Sequence, residues 1–220
     1  MDSAMKHKTL RQELIDACLA MNASGINQGT SGNMSTRLDQ SRFLITPSGI
    51  AYDAMTPDQI VDMHVDGSHD GDWKPSSEWR MHADIYSARA EAGAVLHCHA
   101  LNATAISCLR RDVPAFHYMI GVTGAKRIRC SDYALFGSKE LSTAMMEAFG
   151  EANTCLLANH GMTCFARDLP SVLKLGVEVE NLCHQYIRAC SLGEPVILSD
   201  AEMDAALAAF STYGKQPERE

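Results

Sequence analysis

Two imidazoles one residue apart, His97 and His99, sit in the apolar run GAVLHCHALNATAIS between Gly93 and Ser107. In an extended strand, side chains i and i+2 leave the same face, so the two rings project together while Cys98 turns away. Two neutral imidazoles on one face, joined by a third nitrogen or a carboxylate, make the usual sphere of a catalytic zinc with an open position. An isolated pair can equally be a local hydrogen-bonding accident, so its partners must come from elsewhere in the chain. His160 lies in the turn Asn159-His160-Gly161 directly after the apolar CLLA, at a strand end where functional groups commonly project. Glu78 opens a helix announced by Pro75-Ser76-Ser77. Singly, His160 reads as a polar turn residue and Glu78 as a partner of the helix dipole; together with the pair they complete a Glu/His/His/His set. His82 competes as a ligand, four residues from Glu78 on one helix face. The spacing E-x-x-x-H is not H-E-x-x-H, and His82 is read as structural. His7, His64 and His69 fall in polar segments and His184 lies mid-helix, none of them a ligand candidate.

A second constellation is small and polar. GTSGN (Gly29 to Asn33), TPSG (Thr46 to Gly49) and SSE (Ser76 to Glu78) are short segments rich in glycine and hydroxyls, the last at a helix start. Backbone N–H groups at such turns and at helix N-termini bind phosphate without a lysine, because unpaired donors and the dipole favour an anion. None matches the Walker or dinucleotide glycine patterns, and three ordinary turns remain the alternative.

Positioning these groups requires a sheet covered by helices. KTLRQELIDACLAMNASG places Leu10, Leu14, Ala17, Cys18 and Met21 at helical spacing and stops at Gly25. Short strand-like runs between Gly29 and Gly49 predict a hairpin, Thr56 to Gln59 a capped helical turn, and Asp66 to Trp73 an exposed loop. A helix from Ser76, with Trp79, His82, Ala83 and Tyr86 on one side, precedes AVLHCHA, read as a buried strand. Helices follow near Ser138 to Phe149 and from Asp168 to about Leu192, with TCLLANHGMTCF between them as a strand pair around a turn. A last helix starts at the capping box Ser199 to Glu202 and ends before Tyr213. This alternation predicts an α/β chain, and the 220 residues read as a single domain with a mobile tail from 211 to 220.

Composition narrows the function further. A formal charge of -8 with no basic stripe gives no electrostatic reason to expect nucleic acid. Apolar runs fall short of the roughly 20 residues that span a bilayer, and MDSAMKHKTLRQE has no signal-peptide core, so a cytoplasmic protein without a membrane partner is expected. The eight cysteines contain no C-x-x-C. Cys18, Cys108, Cys155, Cys164 and Cys183 sit in apolar patterns and are expected as small buried hydrophobes in a reducing compartment.

GTSGNMS, ITPSGI, PSSEWRMHADIY, AVLHCHALNATAIS, PAFHYMI, ANHGM and the closing STYG occur here in an order that resembles the class II aldolase family, most of all its L-fuculose-1-phosphate aldolase branch. The resemblance runs from the first helix to about Gly214. It implies a three-layer α/β/α sandwich around a largely antiparallel sheet, and a homotetramer with active sites at subunit interfaces. It implies one Zn2+ per subunit, replaceable by Co2+ or Mn2+, held by His97, His99 and His160 together with Glu78, which then acts as acid/base. Gly32, Asn33, Thr46, Ser48, Gly49, Ser76 and Ser77 fall on the family's phosphate-binding turns. Tyr118 matches a tyrosine that crosses a subunit boundary to protonate the aldehyde oxygen; Phe136 and Tyr213 match groups at the aldehyde end of the substrate. The implied reaction is cleavage of a phosphorylated sugar, a ketose 1-phosphate, to dihydroxyacetone phosphate and a short aldehyde. Fuculose, deoxyribulose and methylthioribulose phosphates would all use this machinery. The chain departs from the fuculose branch at Gly121 to Arg129 and in its polar tail. Sugar-phosphate 4-epimerases carry aspartate where Glu78 stands and differ around HYMI; methylthioribulose-phosphate dehydratases are the other enzymatic rival. A metal-free adducin-like binding module would have lost ligands, and all four are present.

Overall fold

The computed structural model describes residues 7 to 210. Helix α1, Lys8–Ala23, buries Leu14, Ile15, Cys18 and Met21 along one face. Gly25, at φ 80, then turns the chain through a backbone conformation that disfavours a side chain. Seven strands follow among the described residues: β1 Asn33–Arg37, β2 Arg42–Ile45, β3 Val61–His64, β4 His69–Asp70, β5 Ala94–Cys98, β6 Thr154–Leu157 and β7 Gly161–Ala166. They form one sheet in the order β4-β3-β2-β1-β5-β7-β6, with every strand pairing antiparallel. The parallel contact is an isolated bridge between Cys130 and Leu156.

The remaining α-helices among the described residues are α2 Trp79–Ala88, α3 Leu101–Ser107, α4 Lys139–Phe149, α5 Leu169–Leu192 and α6 Asp200–Phe210, with 3-10 turns at Pro57–Gln59 and Tyr118–Thr123. Strand alternation splits the apolar residues between the two faces of the sheet. Leu44, Leu96 and Cys98 join residues of α1, α3 and α5 in one core, while Phe43, Ile45 and Val95 join residues of α2 and α4 in the other. The result is the expected three-layer α/β/α arrangement. Each fully buried large side chain, such as Phe43, Phe149 or Leu96, contributes about 1.5–3 kcal/mol through its removal from water.

The interior strand β5 lies between β1 and β7 and carries His97. It ends at Cys98, so His99 stands one residue past the last ladder position and leads into α3. The capping box predicted at Ser199 forms, with the Glu202 carboxylate accepting from the Ser199 backbone N–H at 2.7 Å.

Two elements were not predicted, and two local expectations change. LNATAIS forms helix α3, because the Glu180 carboxylate of α5 accepts from the backbone N–H groups of Asn102 and Ala103 and caps it, a long-range contact no local pattern announces. VDMH is a strand, too short to stand out by alternation. The loop from Asp66 to Trp73 is exposed as expected but contributes the two-residue edge strand β4. Cys108 is exposed rather than buried, because α3 stops at Ser107 and leaves it at the helix end.

Candidate active site

The three histidines converge from the end of one strand, β5, and the turn between β6 and β7. Their ligand nitrogens lie within 4.8 Å of one another, and the ring centroids are 4.8 to 5.1 Å apart. His160 reaches the others because β6 and β7 form a tight pair, with Leu157 opposite Gly161, and the turn projects it beside the end of β5. Gly161 is required there: a Cβ on it would stand 2.5 Å from the Cys98 carbonyl oxygen and 3.0 Å from the His99 ring.

Glu78, the N-terminal flanking residue of α2, is buried and completes the group. Its Oε2 lies 3.1 Å from His97 Nε2 and its Oε1 lies 3.2 Å from His160 Nε2. Neither Glu78 Oε1 nor His97 Nε2 makes a hydrogen bond, although both are buried. Atoms this close without hydrogen-bond geometry direct their lone pairs at a shared point rather than at each other. His97 Nδ1 donates to the Met162 carbonyl at 2.9 Å, with Thr163 Oγ1 at 3.2 Å. That bond places the proton on Nδ1 and leaves the Nε2 lone pair for a ligand, which is the usual support of a metal-binding histidine. Three imidazole nitrogens and a carboxylate thus fit a divalent metal ion.

Burial alone would raise the Glu78 carboxyl, but the His97 and His160 imidazoles outweigh it and hold it well below the usual carboxylate range. Burial, followed by the like charge of His97 and His160, brings His99 down to about 4. Cys98 faces the opposite core, as alternation requires, and burial pushes its thiol up to about 12.

The three small polar segments meet around Glu78. Pro47 bridges Pro75 across an antiparallel contact, and Ser76 N–H donates to the Thr46 carbonyl at 3.0 Å, so the TPSG and PSSE segments lie side by side. Gly49 has φ 73, and the Ser76 hydroxyl accepts from the Glu78 N–H at 3.3 Å. Thr46 Oγ1 is buried with no hydrogen-bond partner. Gly32 has no room for a side chain, its Cβ position lying 2.7 Å from the His97 carbonyl oxygen. Asn33 Nδ2 donates to Glu78 Oε2 at 3.1 Å. Ser48 and Ser77 are exposed beside these groups.

A cavity of about 300 Å³ opens over Glu78, His99 and His160 and is lined by Ser31, Ser77, Tyr133, Ala134, Phe136 and Asn159. Phe136 thus stands at the site. Tyr118 does not in this chain: it is exposed and stacks on His117 and Phe210. Tyr213 lies outside the described residues. A larger cleft of about 450 Å³, lined by Lys126, Arg127, Arg129, Glu151 and Asp204, contains none of the candidate groups.

Sequence reasoning missed Tyr133 and Arg110. Arg110 donates to Asn159 Oδ1 at 2.8 Å and lies over the Tyr133 ring at 5.5 Å, tying the His160 turn to the cavity wall. No local pattern marks this contact. His82 is no ligand, but it bonds Asn33 and so reaches Glu78 indirectly.

Residues 12–187 match the model of the Class II Aldolase and Adducin N-terminal domain, and the chain belongs to that family, among its aldolases. It is 45% identical over 205 residues, 93% of this chain and 92% of the other, to a 5-methylthioribulose-1-phosphate/5-deoxyribulose-1-phosphate aldolase of Rhodospirillum rubrum. It is 42% identical over 211 residues, 96% and 98% of the two chains, to the L-fuculose phosphate aldolase of Escherichia coli K12. Among solved structures, an L-fuculose 1-phosphate aldolase superposes with a TM-score of 0.90 at 36% identity, covering 96% of this chain and all of that one.

Proposed function

We propose that this chain is a zinc-dependent lyase that cleaves the C3–C4 bond of a ketose 1-phosphate to dihydroxyacetone phosphate and a short aldehyde. The observation that carries the reading is the buried Glu78 carboxylate 3.1 and 3.2 Å from the Nε2 atoms of His97 and His160, with Glu78 Oε1 and His97 Nε2 lacking a hydrogen bond and His99 grouped with the other two histidines. His97, His99, His160 and Glu78 would hold the metal, which when bound supplies a Lewis acid for the charge that builds on the old carbonyl oxygen.

The chain's own groups do the rest. Glu78, ionised at neutral pH, moves the proton at the dihydroxyacetone phosphate carbon that carries the broken bond. Gly32, Asn33, Thr46, Ser48, Gly49, Ser76 and Ser77 hold the phosphate; the unpartnered Thr46 hydroxyl supports that role, because a buried hydroxyl without a partner costs free energy that a ligand oxygen would recover. Fixing the phosphate sets the distance from the reacting carbon to Glu78. Phe136, with Tyr133, walls the aldehyde end, and Tyr213 belongs to the same end. Tyr118 of one copy serves a neighbour's site in a homotetramer, taking the proton that leaves the C4 hydroxyl in cleavage and donating it to the aldehyde oxygen in the reverse direction; its exposure away from its own cavity supports this. Eight cysteines without a disulfide support a cytoplasmic enzyme.

The substrate falls in the deoxy or methylthio class, either fuculose 1-phosphate or a 5-deoxy or 5-methylthio pentulose 1-phosphate. The relatives named above are named for both kinds, whose aldehydes differ by a CHOH unit or a methylthio group. The test is a panel of ketose 1-phosphates assayed for dihydroxyacetone phosphate, before and after chelation and zinc readdition. Release on at least one member, abolished by chelator and restored by zinc, supports the reading. Epimerised or dehydrated product without cleavage, or full activity in verified absence of metal, overturns it.

A further inference from the structure

Strand β1 and helix α2 lie face to face over the site with matched periods. Along the strand, Asn33 and Ser35 are two apart and share a face, a step of about 6.6 Å; along the helix, Glu78, His82 and Tyr86 are four apart, steps of about 6 Å. The two rows interlock as one buried chain of hydrogen bonds. Asn33 Nδ2 lies 3.1 Å from Glu78 Oε2, His82 Nε2 lies 2.6 Å from Asn33 Oδ1, Ser35 Oγ lies 2.6 Å from His82 Nδ1, and Tyr86 Oη lies 2.8 Å from Ser35 Oγ.

The charged end fixes the direction of every bond. An ionised Glu78 accepts only, so Asn33 must present its amide N–H to it and its carbonyl oxygen to His82. That oxygen accepts only, so His82 carries its proton on Nε2. Nδ1 is then bare and takes the Ser35 hydroxyl proton, and the Ser35 oxygen takes that of Tyr86. All the donors point toward the carboxylate, and successive bonds in such a chain polarise one another. Reversing the Asn33 amide would set its oxygen against a carboxylate and its N–H₂ against His82 Nε2–H, breaking two bonds at once. His82 is fully buried, and burial, reinforced by the like charge of His97, brings it down to about 3, so the imidazole stays neutral.

The geometry points to His82 as a positioning residue: through Asn33 it locks the orientation of the Glu78 carboxylate toward His97, His99 and His160, with Ser35 fixing its tautomer. This rests on the reading of Glu78 as a metal-facing acid/base. It assigns the i+4 histidine of the helix a task distinct from filling the core. It also gives Asn33 a second task beside the phosphate turn, since one of its two amide hydrogens is committed to Glu78 and one remains for a ligand oxygen.

The test compares the holoenzyme with His82→Leu, which removes both bonds, and His82→Gln, whose amide N–H can still donate to Asn33. For His82→Leu, kcat should fall about 10- to 100-fold with KM within about threefold, and His82→Gln should recover kcat to within about threefold of wild type. Two readouts stand apart from activity. The visible spectrum of the Co2+-loaded protein should shift in His82→Leu toward that of Glu78→Gln and stay wild type in His82→Gln. The ¹⁵N spectrum of the wild-type protein at neutral pH should show His82 as the Nε2–H tautomer. If His82→Leu fails to fold, Ser35→Ala carries the test, with a mixed His82 tautomer and a partial spectral shift expected. The inference is overturned by an Nδ1–H tautomer, by a His82→Leu protein that melts lower yet keeps the wild-type cobalt spectrum and kcat, or by His82→Gln no better than His82→Leu. A wild type that cleaves no ketose 1-phosphate refutes the proposed reaction instead, and the tautomer and cobalt spectra then decide the positioning role.

Discussion

Cys98 stands between two histidines of the cluster, and the structure says that it takes no part in metal binding. The sulfur has no exposed surface and sits in the core with Leu96 and Met162, on the face of β5 opposite His97. A metal-binding cysteine must be a thiolate, whereas burial holds this one as a thiol. Cys98→Ala deletes one core atom of roughly methylene size, so it should cost about 1 kcal/mol and lower Tm by about 2–4 °C for a chain of this length. Zinc affinity should stay within about threefold of wild type, because no ligand and no support of a ligand is lost. His97→Ala removes a ligand and leaves the Met162 carbonyl and Thr163 hydroxyl without their donor. Losing a support alone costs about 10- to 100-fold in metal affinity, so this loss should exceed 100-fold. Competition against a chromophoric chelator measures both affinities. Thermal melts give an independent reading: zinc at about 100 times Kd adds about 2.7 kcal/mol to a protein that binds it, so wild type and Cys98→Ala should both gain and His97→Ala should not. A Cys98→Ala protein that loses zinc, or a His97→Ala protein that keeps it, would refute the placement of the two side chains.

Three other perturbations test the site. The folded-state values of His99, about 4, and His82, about 3, lie below the 6.5 of a solvated imidazole, so their stability contribution is complete above about pH 6.5 and is lost as pH falls through those values. For His82 this amounts to about 2–3 kcal/mol between about pH 6.5 and 4.5; urea midpoints of metal-free protein should drop over that range, and by less in His82→Leu. Gly161→Ala forces a Cβ to within 2.5 Å of the Cys98 carbonyl oxygen, which should cost about 1–3 kcal/mol and weaken zinc more than about tenfold by displacing the ends of β5 and β7; wild-type zinc affinity would show that the strands relax without moving His99 or His160. Tyr118→Phe should depress cleavage by about 10²–10⁴-fold with the inhibition constant of inorganic phosphate unchanged, and an unaltered turnover would remove its role in proton transfer at the aldehyde oxygen.

Much of the site could be read locally. The i, i+2 spacing of His97 and His99, the turn around His160, and the helix start at Glu78 are short-range patterns whose geometry follows from strand and helix periods. The family-specific order of motifs then tied them together. The polar chain was half legible: Glu78 and His82 stand four apart, with Tyr86 on the same helix side as His82, whereas Asn33 reads within its glycine-rich segment and Ser35 is not singled out.

The sequence by itself determined that His97, His99, His160 and Glu78 are candidates for one site and that the two strand histidines share a face, because side-chain direction is a property of backbone period. It could not determine which rows meet. That β1 rather than another strand lies beside β5, that α2 covers that face, that Glu180 caps α3 and that Arg110 grips Asn159 are decided by packing between segments 45 to 78 residues apart. Such pairings depend on how two cores fill the two faces of one sheet, and no local pattern encodes them. His82 shows the difference: locally it is a buried helix histidine, and only the strand opposite makes it the support of Glu78.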